Sequence, residues 1–372
     1  MENIAVIFGG KSVEHDISII TALQVMAAMP KQYNVIPLYC RSDGIMVTAE
    51  NLADANVYLD YAKNVKKESQ VAFKTGHNKV YFLNKNKIKK VVKLDAAILC
   101  NHGHGGEDGS LQGLLEMCEI PYTSPGVTSS AICMDKAFTK MALKEFEIPT
   151  PAYVQLNKCQ YAEKQAEILQ NVGKSLGFPC IVKPARCGSS VGISICESET
   201  EFEGCIENAF VYDDKVVIEE FIDGAREFFC AVVDISGKAV ASKIDEAVKT
   251  KFYSFEEKYL EKKKHSEIKI AKALEKEIRA RALQTYQALE CKGVVRVDFL
   301  MDGNKQLYVN EVNTIPGSLA FNLFESNFED LLNALIISAK KRVEDKSKVV
   351  YQFNSSAIEN FIKLQGCSKS SK

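Results

Sequence analysis

The 372-residue sequence predicts an α/β protein of about two to three domains, and three observations carry that expectation. Near the N-terminus an unbroken apolar run, Ile4-Ala5-Val6-Ile7-Phe8, meets Gly9-Gly10 and then a helical pattern. In mid-chain the proline pair of Ile148-Pro149-Thr150-Pro151 marks a boundary between units. Towards the C-terminus two alternating runs, 294–300 and 306–313, flank the polar turn Met301-Asp302-Gly303-Asn304-Lys305, which is the pattern of a β-hairpin.

Composition narrows the class. Hydrophobic residues at 46% and charged residues at 26% are ordinary for a globular chain and exclude a disordered or fibrous one. With 47 basic against 48 acidic residues the formal net charge is -1, so no nucleic-acid or membrane partner is expected. The first residues enter a strand without the basic and apolar regions of a signal peptide, and no apolar run approaches a membrane span. Twelve cysteines occur singly, with no Cys-x-x-Cys pair, and read as buried thiols of a cytoplasmic protein.

Taken in order, strand 4–8, the glycine turn and a helix through Leu23 to Met26 open a parallel α/β unit, although the dinucleotide-binding glycine fingerprint is absent. Asn34 to Tyr39 is the next strand. Residues 51–94 are polar and lysine-rich, an excursion with one hairpin at Val80-Tyr81-Phe82-Leu83. Ala96 to Cys100 is a third buried strand, running into Asn101-His102-Gly103-His104-Gly105-Gly106-Glu107-Asp108-Gly109-Ser110. Four glycines there permit close approach to a ligand. A helix begins at Leu111, and Met134 to Leu143 reads as an amphipathic helix.

The second unit opens with a helix from about Glu163 to Leu176 and a strand at Cys180 to Pro184. Ala185-Arg186-Cys187-Gly188-Ser189-Ser190-Val191-Gly192 then joins that strand to another at Ile193 to Ile195. Because it links two β-runs, it is no Walker loop. A hairpin flap covering phosphates with N–H groups and hydroxyls fits better. Strands at 216–222 and 228–233 follow, then an aromatic segment around Lys258-Tyr259 that reads as an ordered loop. Leu274, Ile278, Ala282, Tyr286 and Leu289 fall on one helical face, and a helix from Phe328 to Lys341 closes the fold.

The chemistry concentrates in the hairpin. Side chains alternate along a strand, so Arg296 and Asp298 share one face, as do Glu311 and Asn313. The Asp298, Glu311 and Asn313 side-chain oxygens are the hard ligands that Mg2+ or Mn2+ prefers, with phosphate completing the shell. A lone aspartate on such a hairpin is more often simply solvated. Here Thr314-Ile315-Pro316-Gly317 stops the strand, aiming both polar ends at a loop.

These stretches together resemble the D-alanine:D-alanine ligases of the ATP-grasp superfamily. The resemblance is carried from Ile4 to about Arg342 by Gly9 to Asp16, His102 to Gly109, Met134-Asp135-Lys136, Val182-Lys183-Pro184 with Gly188 to Gly192, Lys258-Tyr259, Arg296-Val297-Asp298, and Glu311 to Gly317. It implies an ATP-grasp fold behind an N-terminal Rossmann-like parallel-sheet domain, divided as 1–127, 128–215, 216–345 and a tail 346–372. The implied activity is ATP-dependent joining of two D-alanines through an acyl phosphate, for peptidoglycan.

By the same resemblance Asp298, Glu311 and Asn313 hold two Mg2+ or Mn2+ ions, while Lys136, Lys183, Ser189, Ser190, Lys258 and Asn310 serve ATP. Adenine lies near Glu219, Glu220 and Ile222, with Glu227 at the ribose. Arg296 and the Gly317 N–H stabilise the tetrahedral oxyanion. Glu14 binds the first ammonium and forms a latch with Ser189 and Tyr259. Ser18 and His102 line the first subsite, Asn322 and Leu323 the second. A homodimer through the N-terminal domain is implied.

The sequence also departs from the family. Asn322 stands where serine is usual, which puts the acceptor in doubt and keeps D-serine, D-lactate or another small amino acid open. Lys258-Tyr259 favours dipeptide formation over the use of D-lactate. Ala225 is an extra residue before Arg226-Glu227. A nucleotide-binding regulator without turnover is the reading from another class, and the retained Arg296 opposes it.

Overall fold

The computed structural model describes residues 1–247, 270–351 and 353–369, with side chains of the last helix as far as Gln365. Lys258 and Tyr259 lie outside the described residues.

Strand β1 (Glu2–Gly9) buries Ile4 to Phe8 completely, as a strand covered on both faces must. It joins β2 (Tyr33–Cys40), β3 (Met46–Thr48), β4 (Ser69–Lys74), β5 (Lys79–Asn84), β6 (Lys87–Lys93) and β7 (Ala96–Leu99) in a sheet ordered β6-β5-β4-β3-β2-β1-β7. Only β2 and β7 run parallel to β1. The excursion 51–94 is therefore more than one hairpin: three of its segments extend this sheet antiparallel. Six of the seven β6 residues face solvent, so its lysines concealed the strand.

Helices α1 (His15–Ala28), α2 (Tyr61–Asn64) and α3 (Ser110–Met117) belong to this unit. The helix expected from Met134 to Leu143 is α5 (Lys136–Glu145), and a separate helix not read from the sequence, α4 (Val127–Met134), precedes it. Asp135 separates them as a helix cap, its Oδ1 accepting the Ala137 and Phe138 N–H groups at 3.0 and 3.1 Å.

A second, antiparallel sheet holds β8 (Tyr153–Asn157), β9 (Cys180–Pro184), β10 (Ser194–Cys196) and β11 (Lys215–Glu220) in the order β10-β9-β11-β8. Helices α6 (Lys158–Ser175) and α7 (Phe202–Phe210) share a hydrophobic cluster with it. Strand β8 and helix α7 were not read from the sequence.

The third sheet, also antiparallel, is ordered β13-β12-β14-β15, from β12 (Arg226–Ile235), β13 (Lys238–Glu246), β14 (Val294–Met301) and β15 (Leu307–Asn313). Helix α8 (Lys272–Ala288) covers it with Ile278, Ala282 and Tyr286, as the periodicity predicts. Helix α9 (Phe328–Lys346) returns to the first unit, where Leu331, Leu332, Leu335 and Ile336 join the cluster around β1. Helix α10 (Ala357–Lys369) ends the described chain with its described side chains exposed. No helix among the described residues is long and apolar enough to cross a membrane. Seven of the eleven cysteines characterised are buried, and Cys159 on α6 is the exposed exception among them.

Candidate active site

The β14–β15 register pairs Arg296 with Asn313 and Asp298 with Glu311. Residues two apart share a face, so all four side chains project from one side of the hairpin. Arg296 donates through Nε and Nη2 to the two Asp298 oxygens at 2.6 and 2.7 Å. Asn313 Nδ2 donates to Asp298 Oδ2 at 3.1 Å, leaving the amide oxygen of Asn313 to face away from that carboxylate. Asp298 is only 2% exposed, and the guanidinium offsets the cost of burying its charge.

These four residues line a cavity of about 500 Å³ together with Glu14, Ser189, Glu227, Gly317, Asn322 and Leu323. Two carboxylates and an amide on adjacent rungs form a hard oxygen set suited to Mg2+ or Mn2+. Among the described residues no cluster of three His, Cys, Asp or Glu side chains is suited to a metal. The set fits a cation only with Asn313 and phosphate oxygens counted in.

The flap crosses the cavity from the second sheet. Ser189 and Ser190 adopt left-handed φ angles of 53° and 60°, and Ser189 Oγ donates to Glu14 Oε1. The neighbouring Gly188 is equally constrained, since a Cβ there would lie 2.5 Å from Glu14 Oε2. Lys136 donates to the Cys187 carbonyl at 2.7 Å and stands 3.9 Å from Glu311. A smaller cavity, about 40 Å³, lies among Glu14, Glu107, Lys136 and Glu311.

Lys183 Nζ lies 2.5 Å from Glu219 Oε2 and 3.2 Å from Asn310 Oδ1, while Lys140 reaches the other Glu219 oxygen at 3.1 Å. Burial pushes the Glu219 pKa up, but Lys140 and Lys183 outweigh it and bring it down to about 2. Lys140 itself is lowered by burial against the pull of Glu219. The structure thus closes Glu219 into a buried ionic cluster. Glu220 accepts the Ala152 N–H at 2.7 Å, and Ile222 is half-buried.

Two candidates of the first subsite sit behind the wall. Ser18 accepts the Gly9 N–H at 2.6 Å and donates to the Cys100 carbonyl at 2.8 Å, stitching β1 to the end of β7. His102 is buried, its Nε2 2.9 Å from Thr21 Oγ1, and burial lowers its pKa to about 4. Glu107, Thr21 and Lys140 were not singled out in the sequence. Glu107 lay within the glycine loop without an assigned role, Thr21 inside an apolar helix, and Lys140 among many lysines.

A larger cavity of about 820 Å³, bordered by His104, Asp108, Phe138, Arg186 and Tyr212, contains none of the predicted site residues.

Comparison with known proteins shows the family. The model described as D-ala D-ala ligase N-terminus matches residues 3–125, and D-ala D-ala ligase C-terminus matches 142–333. A D-alanine–D-alanine ligase of Thermosipho africanus is 39% identical over 369 residues, covering 96% of this chain and 99% of that one. The solved D-alanine-D-alanine ligase of Coxiella burnetii superposes with a TM-score of 0.78 at 27% identity, over 93% of this chain and 96% of that one. The VanG D-Ala:D-Ser ligase of Enterococcus faecalis gives 0.73 at 26%, over 92% and 98%. The chain belongs to the D-alanine–D-alanine ligase family.

Proposed function

We propose that this ligase joins two D-alanines into D-alanyl-D-alanine with ATP, supplying a peptidoglycan precursor in the cytoplasm. A carboxylate is a poor electrophile, so the first D-alanine takes the γ-phosphoryl group and becomes an acyl phosphate. The amine of the second D-alanine attacks that carbonyl, and phosphate leaves. Catalysis of this kind is chiefly positioning and charge neutralisation.

Each residue then has a task. Glu14 pairs with the first ammonium, and with Ser189 it holds the flap down, with Tyr259 as the third member of the latch. Arg296 and the Gly317 N–H receive the oxyanion, as preorganised donors do with most effect. Lys136, Lys183, Lys258 and Asn310, with the serines of the flap, hold ATP. Glu219, Glu220 and Ile222 border adenine, and Glu227 the ribose. Asp298, Glu311 and Asn313 would hold two Mg2+ or Mn2+ ions, whose charge would neutralise the phosphates. Closure keeps water from the acyl phosphate. Segments 1–127, 128–215 and 216–345 act as first-substrate, flap and metal domains, in a homodimer formed through the first.

The observation that carries this reading is the convergence of Arg296, Asp298, Glu311 and Asn313 with Glu14 and Gly317 around one cavity. The test is phosphate release from ATP and Mg2+ with D-alanine alone, with the product identified by mass. D-Alanyl-D-alanine formation abolished in Glu311→Gln supports the reading; ATP binding without turnover on any D-amino acid sinks it.

A second reading has its own support. Asn322 lines the cavity beside Ser318, where the family usually carries serine, and asparagine has a different reach and volume. An enzyme of this arrangement joining D-alanine to D-serine or another small acceptor would release phosphate appreciably only when that acceptor accompanies D-alanine. Asn322→Ser would then shift preference towards D-alanine in a competition assay.

A further inference from the structure

The segment after Asn313 cannot hold its own shape. Ser318, Leu319 and Ala320 are three consecutive non-glycine residues with φ of 52°, 51° and 50°. Left-handed backbone costs such residues roughly 1–2 kcal/mol each, so this geometry persists only where the surroundings impose it. Ala320 packs against Ala231 of β12, and the rest of the support comes from the first unit. The Ile315 and Leu319 side chains are buried in the cluster around β1.

Two polar side chains of that unit grip the same backbone, and a third, His102, backs one of them. Glu107 Oε1 accepts the Ile315 N–H at 2.7 Å and the Thr314 hydroxyl at 3.3 Å, while Oε2 accepts the Gly103 N–H at 2.9 Å. Thr21 Oγ1 accepts the Ser318 N–H at 3.1 Å. The Thr21 hydroxyl lies 2.9 Å from His102 Nε2, which is buried behind it. A neutral ring offers one donor and one acceptor. One assignment satisfies both contacts: Ser318 N–H donates to Thr21, and the Thr21 O–H donates to an unprotonated His102 Nε2.

We propose that Thr21, His102 and Glu107 form a clasp that fixes the Ile315–Ser318 backbone, and with it the Gly317 N–H and the Asn313 end of β15, in the geometry the ligation requires. The inference rests on the reading above, in which the Gly317 N–H receives the oxyanion. Thr21 and Glu107 are positioning residues, acting on the reacting atoms through that loop. The acyl-transfer geometry is thereby set by the first-substrate unit, so the site is assembled only where two units meet. Displacement by about 1 Å costs on the order of 100-fold in rate, and the clasp prevents it.

The test compares full-length wild type, Thr21→Val, Thr21→Ser and Glu107→Gln in D-alanyl-D-alanine synthesis, with hydrogen exchange at the Ser318 amide. Valine keeps the shape but removes the hydroxyl. It is expected to lower kcat by about 100-fold with the KM for ATP unchanged, and to speed Ser318 exchange. Serine, which retains the oxygen, should recover most of that loss. Glu107→Gln, an independent route should Thr21→Val fold poorly, is expected to lower kcat about tenfold because its amide meets the Gly103 N–H donor to donor. A Thr21→Val enzyme within threefold of wild type, or one whose kcat and ATP affinity fall together without recovery in Thr21→Ser, overturns the clasp. Wild type that forms no dipeptide overturns the functional reading instead, and the clasp's role in ligation with it; Ser318 exchange then reports only the hydrogen bond.

Discussion

Arg296 and Asp298, two residues apart on β14, meet in a two-pronged ion pair with both contacts under 2.8 Å. The arginine thus orients the buried carboxylate of the proposed cation site while its own charge faces the cavity. Asp298→Asn removes the charge and one acceptor of that pair. ATP-dependent phosphate release is expected to fall by about two to three orders of magnitude, with little recovery on raising Mg2+. Activity within tenfold of wild type would remove Asp298 from the site.

Glu219 is shared between Lys140 and Lys183, and all three are buried. Removing the carboxylate leaves two ammonium groups without their counter-charge. Glu219→Gln is expected to destabilise the fold by roughly 3–5 kcal/mol, the usual cost of breaking a buried pair. A drop in the urea midpoint at constant slope would show it, and an unchanged midpoint would place the lysines in contact with other acceptors.

Gly188 lies against Glu14 so closely that any side chain must displace the carboxylate or lift the flap. Its backbone is outside the left-handed region, so alanine adds a steric conflict without added φ strain. Overpacking of this kind costs about 1–3 kcal/mol. Gly188→Ala should therefore raise the KM for the first D-alanine about tenfold and lower the unfolding free energy by about 1–3 kcal/mol. Steady-state kinetics varying D-alanine and ATP separately would decide it.

Burial holds His102 at about 4 in the fold, below its ordinary 6.5. Below pH 6.5 the unfolded chain takes up a proton that the folded chain refuses. Stability from this group is therefore complete above pH 6.5 and declines as pH falls towards 4, by up to roughly 3 kcal/mol. Urea midpoints at pH 7, 5.5 and 4.5 should decline more steeply in wild type than in His102→Gln. Parallel declines would show that the imidazole is protonated in the native state.

Much of this site was legible in the order of residues because its parts are local. The hairpin faces of Arg296, Asp298, Glu311 and Asn313 follow from a period of two, and the flap from a glycine-serine run between two strands. The helix face of Ile278, Ala282 and Tyr286 was equally plain. Strands β6 and β13 were not, because edge strands exposed to water keep few apolar residues and lose their alternation. The break at Asp135 was hidden too, since a cap is recognised by its hydrogen bonds to the next turn and the apolar pattern runs straight across it.

The sequence by itself determined the family, the strand faces and the residues able to meet phosphate and metal, since these depend on residue type and short spacing. Only the tertiary structure decided that Lys140 and Lys183 share Glu219, that Glu14 meets Ser189 across 175 positions, and that Thr21 supports Ser318 across 297. Hydrogen bonds and ion pairs act over a few ångströms in space, and nothing in a linear pattern records which distant segments the packing of three sheets brings within that reach.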